Sequence, residues 1–514
     1  MKQASILKSG LWLLNNLRCL LMAATLCCCH FFSYAQNRNS VWCFGDSAMI
    51  DFSDTANIVV ESSSLDTRGS CVSMSDQSGK LLYYAGTMPY FGTNSFYATY
   101  VFDSTHSIML NGDTLFGHAW YHELISFPSP SNDSTYYIFS IGVTSVFGLY
   151  YSIIDMRLNN GLGAVTVKNI QLQSFEQVDC LNAVKHGNGR DWWLIFRKSD
   201  FSVGSSNNDW YTYLITPYGI QNFSVQSIGS QNHTNNGQIC FSQLGDKVVF
   251  SNLMGLLELF NFDRCNGLLS NPIIIEPEPT IPPAKYFWSC AFSPDASKLY
   301  VSTNETPTYL FQYDLNSPNI AASKDTIYSL SYPLEAGGEL KLAPDNKIYL
   351  SNWYFNGFQT PYPYQDTVYN MYNMNLSVIN QPDSLGTACD FQPYSFYLGG
   401  KRTYVGLPNN PDYDLGVVAG SACDTITGIA PSPLGRGGVR LYPNPVNNIL
   451  FISGLSDAKN ELVVYDIYGR QIIKKQTNGT NSNIDVSLLA EGVYTLRIKN
   501  ETGEYFKKRF VVIK

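Results

Sequence analysis

Ser47, in Phe44-Gly-Asp-Ser-Ala48, has the chemistry of a nucleophile, provided that a histidine base stands beside it. His118 and His122 are four residues apart, a spacing that on a helix aims both rings at one metal ion; no His-Glu-x-x-His is present, although Glu123 follows. Asp76-Gln-Ser-Gly79, Asp295-Ala-Ser-Lys298 and Asp345-Asn-Lys347 offer oxygens to calcium, but lack the repeated Asp/Asn ligands and bidentate Glu of an EF-hand. Trp192, Trp193, Trp210, Trp288 and Trp353, with Tyr354, Tyr362, Tyr364, Tyr369 and Tyr372, offer faces on which sugars stack. Each set does its chemistry only if the backbone brings it together, so the elements decide.

The chain has 514 residues, 14% aromatic and only 14% charged, with 39 Gly and 24 Pro. That composition excludes disorder, coiled coils and a mainly helical protein, and favours many short strands joined by turns. A short apolar segment, a polar turn and a Tyr-rich strand recur along the body, with turn residues Asp76, Asn132, Asn188, Asp246, Asp295 and Asp345. Their spacings are 56, 56, 58, 49 and 50 residues. A period near 50 with several strands per unit predicts a β-propeller, each turn joining the two inner strands of a blade. With Cys389–Tyr404 as a seventh, degenerate copy, the expected fold is all-β: a seven-bladed β-propeller followed by a small Ig-like β-sandwich. The stretch 42–52 is expected to give a strand to the last blade, with Val41–Asp51 pairing near Thr403–Leu407. An array of sandwiches is the competing fold.

In that frame the turn aspartates read as hairpin turns, the tryptophans as packing between blades, and the 118–122 region as strand and loop without a shared helical face. No metal, cofactor or catalytic residue is assigned. Of 12 cysteines, eight follow residue 35. Cys71, Cys240, Cys290 and Cys389 fall at nearly equivalent repeat positions and read as small buried hydrophobes, since equivalent sites in different blades lie beyond bridging distance. A Cys265–Cys290 disulfide, flanking one blade-to-blade connection, is the most plausible bridge.

At the N-terminus, Lys2, Lys8 and Arg18 precede or flank a short apolar run ending at Phe32, and Ser33-Tyr34-Ala35 follows. Residues 1–35 read as a secretory signal peptide cut before Gln36, with an uncleaved anchor or a lipoprotein signal at Cys27 as alternatives. No later run resembles a membrane span. Residues 36–438 hold 19 basic and 34 acidic residues, a net −15 that argues against nucleic acid; 439–514 hold 11 basic and 7 acidic, a net +4. The basic tail, with its cluster Lys507-Lys508-Arg509, suits an anionic partner, but the cluster reads first as a solvated strand edge protected by lysine. The expected organisation is signal 1–35, propeller 36–422, a Pro/Gly-punctuated linker 423–438 and a tail 439–514 of alternating strands.

Four ordered blocks in that tail carry a family resemblance: Leu441-Tyr-Pro-Asn-Pro445, Val464-Tyr-Asp-Ile-Tyr-Gly-Arg470, Leu489-Ala-Glu-Gly-Val-Tyr494 and Phe510-Val-Val-Ile-Lys514. The tail resembles the type A C-terminal sorting domain of the Bacteroidota type IX secretion system. The resemblance implies export by way of the periplasm through an outer-membrane translocon. The protein would then be secreted or attached to the outer surface, with the machinery as partner of the tail. Its motif residues here are Tyr442, Pro443, Asn444, Pro445, Asp466, Gly469, Arg470, Gly492 and Tyr494. Phe292-Ser-Pro-Asp-Ala-Ser-Lys-Leu-Tyr-Val-Ser302 resembles the YVTN/WD40-like seven-bladed propellers. The Gly-Asp-Ser at 45–47 resembles the nucleophile block of SGNH esterases, whose His should come late in the chain as Asp-x-x-His; the last His is His233, and Asp103-Ser-Thr-His106 is misplaced. The expected function is a non-enzymatic binding protein taking a glycan or protein ligand at a propeller face. The alternative is an extracellular enzyme acting on a polysaccharide or lactone.

Overall fold

The computed structural model describes residues 37–89, 97–118, 120–143, 147–279, 286–305, 307–331, 335–354, 368–424, 440–442, 446–453, 455, 458–466, 470–500 and 505–513. The signal region and nearly all of the 423–438 linker lie outside these residues. The chain divides into two compact units between Gly416 and Val417, with Gly187–Gly189 falling with the second.

Among the described residues, the first unit is a succession of seven antiparallel sheets, whose first strands begin at Val41, Cys71, Leu124, Asn182, Gly237, Phe287 and Glu335. The first two sheets have three strands and the other five have four. All six expected turns join the first two strands of a sheet. The reason is local: the side-chain oxygens of Asp76, Asn132, Asp295 and Asp345 accept hydrogen bonds from amides two residues on, fixing each turn without help from the rest of the fold. The strands they join are wholly or largely buried and carry β-branched and aromatic residues, as in Trp192–Arg197 and Phe287–Phe292.

First strands of neighbouring sheets pack side by side, Val41–Phe44 on Cys71–Ser75, Cys71–Ser75 on Leu124–Pro128, Asn182–Lys185 on Gly237–Phe241, Gly237–Phe241 on Phe287–Phe292, and Phe287–Phe292 on Glu335–Leu342. Phe127 and Trp192, 4.9 Å apart between ring centroids, join the third sheet to the fourth. The first and last sheets also share a core. Tyr349 lies 6.0 Å from Trp42 and 5.6 Å from Phe52, among Ala343, Leu376 and Val378. A stack whose ends meet is a ring, and the body is a β-propeller. Each side chain fully buried at that closure contributes about 1.5–3 kcal/mol before relaxation.

Two details of the expected closure are corrected. Residues 41–66 do not lend a strand to the last sheet; they form a sheet of their own, Val41–Phe44, Asp46–Asp51 and Val59–Asp66. The supposed seventh copy at 389–404 is instead the outer strand of the last sheet, Phe391–Tyr397, and the approach to another segment. The expected pairing between the chain ends is reduced to one bridge, Asp46 to Arg402.

Beyond Arg402 the chain does something the repeat does not announce. The Val405 and Gly406 amides donate to Arg68 O, the Glu339 amide donates to Val405 O, and the Asn409 amide donates to Cys71 O. Asn409 Nδ2 donates to Leu124 O and Leu181 O, Tyr413 Oη to Ser126 O, and Lys341 Nζ to Asn410 O. One segment that touches the first strands of the second, third and seventh sheets and the entry to the fourth can only lie on the axis they share. A Cβ on Gly406 would fall inside contact distance of the Gly69 backbone, so glycine is required at this crossing. Val405, Leu407 and Tyr413 are fully buried.

The second unit contains a two-sheet sandwich. One sheet is Arg440–Tyr442, Ile449–Ser453 and Asn481–Asp485; the other is ordered Gln471–Asn478, Lys459–Tyr465, Gly492–Asn500, Tyr505–Val512. Leu450, Ile452, Leu462, Val464, Ile484, Leu496, Ile498 and Phe510 fill the space between them. Among the described residues no helix is long and apolar enough to cross a membrane.

Candidate functional site

The axis of the propeller gathers titratable groups that no spacing in the sequence connects. Asp179 is fully buried and accepts hydrogen bonds from the amides of Tyr121 at 2.9 Å and His122 at 2.8 Å. Burial, reinforced by nearby Glu123, pushes its carboxyl up to about 8 against those two bonds and Arg68. Glu123 accepts from Thr87 Oγ1 at 2.6 Å and from the His118 amide. Glu339 accepts from the Leu407 amide at 2.8 Å, and burial pushes it up to about 7. His122 Nε2 stands 3.9 Å from Glu339 Oε1; burial pushes the imidazole down to about 4, so it is neutral near pH 7. The carboxylates thus spend acceptor positions on backbone amides of the surrounding loops and of the axial segment.

Along the axis lies a cavity of about 320 Å³, lined by Gln238, Cys240, Cys290, Lys341, Asn410 and Asp412 among others. Its amides are largely committed. Asn410 accepts from Ser73 N and donates to Asn39, and Gln238 accepts from Cys290 N. Burial lowers the Lys341 ammonium while Glu339 and Cys240 oppose the shift.

The sequence candidates for chemistry separate. Ser47 Oγ meets Asp46, and Asp46 pairs with Arg402 at 3.1 Å. His106, in the misplaced Asp-x-x-His, bonds to the Tyr84 hydroxyl. His118 packs on Phe116 while His122 faces Glu339, and among the described residues no group of three or more His, Cys, Asp or Glu is placed to hold a metal. Trp192, Trp193, Trp210 and Trp288 are buried in the cores. Tyr369 is exposed and donates to Asp46, and Tyr354 stacks on Tyr372 at 6.0 Å. Tyr362, Tyr364 and the Trp353 side chain lie outside the described residues. The axial group was missed because its members come from loops and from the strand Glu335–Leu342, at unrelated spacings; the signal available was His118, His122 and Glu123 beside a strand start.

The expected Cys265–Cys290 bridge is not present: Cys290 is a free buried thiol, its side chain interacting with Cys240. Cys265 and Cys423 are each disulfide-bonded. Cys43, Cys71, Cys180, Cys240, Cys290 and Cys389 are free; Cys389 sits in a 3-10 turn, not on a first strand as expected. The first strands of the fifth and sixth sheets lie close enough for their thiols to meet, which the repeat-distance argument did not foresee.

In the tail, the motif residues that are described sit at a turn and on strands of the sandwich, with Tyr494 in its core. Asp466 and Arg470 close one turn: the Asp466 amide donates to Arg470 O, and Arg470 returns bonds from its amide and Nε to the Asp466 carboxylate at 2.9 and 2.7 Å. Tyr494 donates to Ala490 O and stacks 5.8 Å from Phe510. Gly492 has φ +154, outside the range side chains favour. Tyr442 ends the first tail strand opposite Phe451. Val446, which follows the first block, meets the last one, since Val446 N donates to Val511 O and Ile513 N to Val446 O. Pro443, Asn444, Pro445 and Gly469 lie outside the described residues.

Residues 440–514 match the family model described as the secretion system C-terminal sorting domain. No curated protein matched the chain. Among solved structures, the chain is similar to a candidate 6-phosphogluconolactonase from Bacteroides fragilis NCTC 9343, with 10% identity, 72% of this chain and 98% of that one covered, and TM-score 0.40. It is similar to a periplasmic gluconolactonase from Pseudomonas aeruginosa, with 10% identity, 78% and 98% covered, and TM-score 0.35. It is also similar to the Cps50 (Swd1) β-propeller domain from Myceliophteria thermophila, with 10% identity, 62% and 97% covered, and TM-score 0.33. With its described strands folded into one sandwich and residues 440–514 matched as a secretion system C-terminal sorting domain, the tail is a type IX sorting domain, and the protein is exported through the periplasm to the medium or the outer cell surface.

Proposed function

We propose that the exported propeller is a binding protein that takes a glycan or protein ligand at one of its faces. The observation that carries this reading is the axial segment. The chain's own residues 402–415 run along the place where a propeller would open a deep funnel to a substrate and leave there a cavity of about 320 Å³, and the carboxyl groups of Asp179 and Glu339 beside it are engaged by backbone amides. A site that must bind and release protons during catalysis needs acids and bases free to meet a substrate. The competing reading, an enzyme acting on a polysaccharide or lactone, draws its support from the raised carboxyls of Asp179 and Glu339 beside neutral His122. We further propose the organisation signal 1–35, propeller 36–422, linker 423–438 and tail 439–514, with Tyr442, Pro443, Asn444, Pro445, Asp466, Gly469, Arg470, Gly492 and Tyr494 as the residues of the sorting signal. The test is the purified mature body on a glycan array alongside a hydrolase, lactonase and lyase panel. Saturable binding without turnover supports the proposal. Turnover abolished by Asp179→Asn or Glu339→Gln, in variants that melt like the parent, replaces it with the enzyme.

A further inference from the structure

Blades that radiate from one axis part as they run outward, so the gaps between their outer strands must be filled or left open. Between the fourth and fifth sheets the gap is clasped: Gln226 Oε1 accepts from the Leu269 amide at 2.9 Å, and Gln226 Nε2 donates to Leu269 O at 2.7 Å. Between the sixth and seventh, the Tyr328 ring packs 5.1 Å from that of Phe391, and Gln312 Nε2 donates to Ser384 O. Between the third and fourth, the inner strands meet through Phe127 and Trp192, but further out a groove of about 440 Å³ remains, spanned by Gln173 Nε2 donating to Tyr213 Oη at 2.7 Å. Strand register supplies its walls. Tyr137 stands opposite Ile153 in the third sheet and Tyr213 opposite Phe223 in the fourth, and all four line the groove.

The lining narrows what such a groove could hold. Phe223 is 44% exposed and Tyr151 is half-buried, so parts of both rings stay open. The hydroxyls of Tyr137 and Tyr151, Gln173 Oε1 and the exposed Asn222 side chain make no hydrogen bond within the described fold. Among the described residues no Asp, Glu, Lys, Arg or His lines the groove. A charged ligand would give up its hydration there for a site without a counter-charge, and a polyanion would also meet a body of net −15. A wholly apolar ligand would leave the uncommitted hydroxyls and amides stranded. A sugar presents C–H faces to aromatic rings, and hydroxyls to groups that both donate and accept. The volume is at the small end of the roughly 300–1,000 Å³ range of small-molecule sites, which suits a short stretch of glycan and not a folded domain.

We propose that the groove between the third and fourth sheets is the ligand site of the propeller and holds a neutral saccharide, with Phe223 and Tyr151 as stacking platforms and Asn222 and Gln173 as partners of its hydroxyls. The inference rests on the reading of the propeller as a binding protein and narrows it to a glycan. It is tested on the purified secreted protein by electrophoresis in native gels containing dextran, laminarin, xyloglucan or polygalacturonate. The expected result is retardation by at least one of the neutral polymers and none by polygalacturonate. Phe223→Ala should weaken that binding at least tenfold and Asn222→Ala at least threefold. Tyr218→Ala, at a 94% exposed ring outside the groove lining, should bind as the parent does. If Phe223→Ala melts well below the parent, Asn222→Ala decides, because its side chain is exposed and bonds to nothing in the fold. Parental affinity in the groove variants overturns the inference and leaves the binding reading standing, with its site elsewhere. Equal retardation by polygalacturonate, or none by any neutral polymer, also overturns it. Binding of reduced, carboxymethylated α-lactalbumin that Phe223→Ala abolishes would assign the groove to a polypeptide, and a parental dimer made monomeric by Phe223→Ala would assign it to a second copy of this chain. New reducing ends released from any of the polymers would overturn the binding reading itself.

Discussion

Asn409 is the point at which the axial segment is clasped hardest, and replacing it tests whether that segment holds the ring together. Its Nδ2 donates to Leu124 O at 2.8 Å and to Leu181 O at 2.9 Å, joining the third sheet to the entry of the fourth, and its side chain is buried. Asn409→Ala removes both bonds and leaves two carbonyl groups without those donors. A neutral hydrogen bond contributes about 0.5–1.5 kcal/mol net, and an acceptor left buried and unsatisfied costs about 1–3 kcal/mol, so the loss is about 2–4 kcal/mol. Urea unfolding followed by tryptophan fluorescence suits the measurement, because Trp42, Trp192, Trp193, Trp210 and Trp288 are all buried in the propeller. At a slope of about 3 kcal/mol/M the midpoint falls by roughly 1 M. Asn409→Asp, similar in shape but presenting oxygens to both carbonyls, should fall further. Asn222→Ala, at an exposed strand position, should stay within about 0.5 kcal/mol of the parent. A midpoint for Asn409→Ala indistinguishable from that of Asn222→Ala would show that the segment is not clasped and that the reasoning about the axis is wrong.

Glu339 keeps its proton to about pH 7 when folded and releases it near its ordinary value of 4.5 when unfolded, so its contribution is greatest below pH 4.5 and declines as pH rises towards 7. At about 1.4 kcal/mol per pH unit the decline is about 3 kcal/mol; Glu339→Gln should abolish it, so the stability of the variant relative to the parent should rise between pH 4.5 and 7 in parallel urea titrations. A pH-independent difference would refute the assignment. Alkylation of the denatured, unreduced secreted protein, read by peptide mass spectrometry, should label Cys43, Cys71, Cys180, Cys240, Cys290 and Cys389 and spare Cys265 and Cys423. A chain ending at Gly438 should remain in the periplasm as a folded, soluble body, as fractionation and protease resistance would report.

What could be read from residues alone was what the chain settles locally. The six inner hairpins are legible because Asp76, Asn132, Asp295 and Asp345 carry their own turn chemistry, and the tail because its strands alternate and its motif blocks come in order. The closure was half legible: the ends of the body do meet, but Gly45 and Ser47, both with positive φ, begin a new hairpin where a single donated strand was expected. The axial segment was illegible. Its residues 402–411 are buried without alternation, polar and apolar alike, so no strand pattern marks them, and its polar residues Asn409 and Asn410 look like any turn until the carbonyls they serve are in place. The grouping of Asp179, His122 and Glu339 was hidden for the same reason: a ring brings together residues that no short spacing in the sequence connects.

The axial segment also sets an order of events for a chain that enters the periplasm N-terminus first. Ser73 N finds its acceptor on Asn410, and Leu124 O its donor on Asn409, only after more than three hundred and nearly three hundred further residues have arrived. Contacts of such sequence separation form late, because the entropy of closing the loop is spent before they reward it. The sheets can assemble as they emerge, but the centre stays vacant until the last stretch of the body threads it, shortly before the tail that begins at residue 440. Completion of the cargo and delivery of its address are therefore nearly one event, so the route to the translocon opens only about when there is a finished body to send.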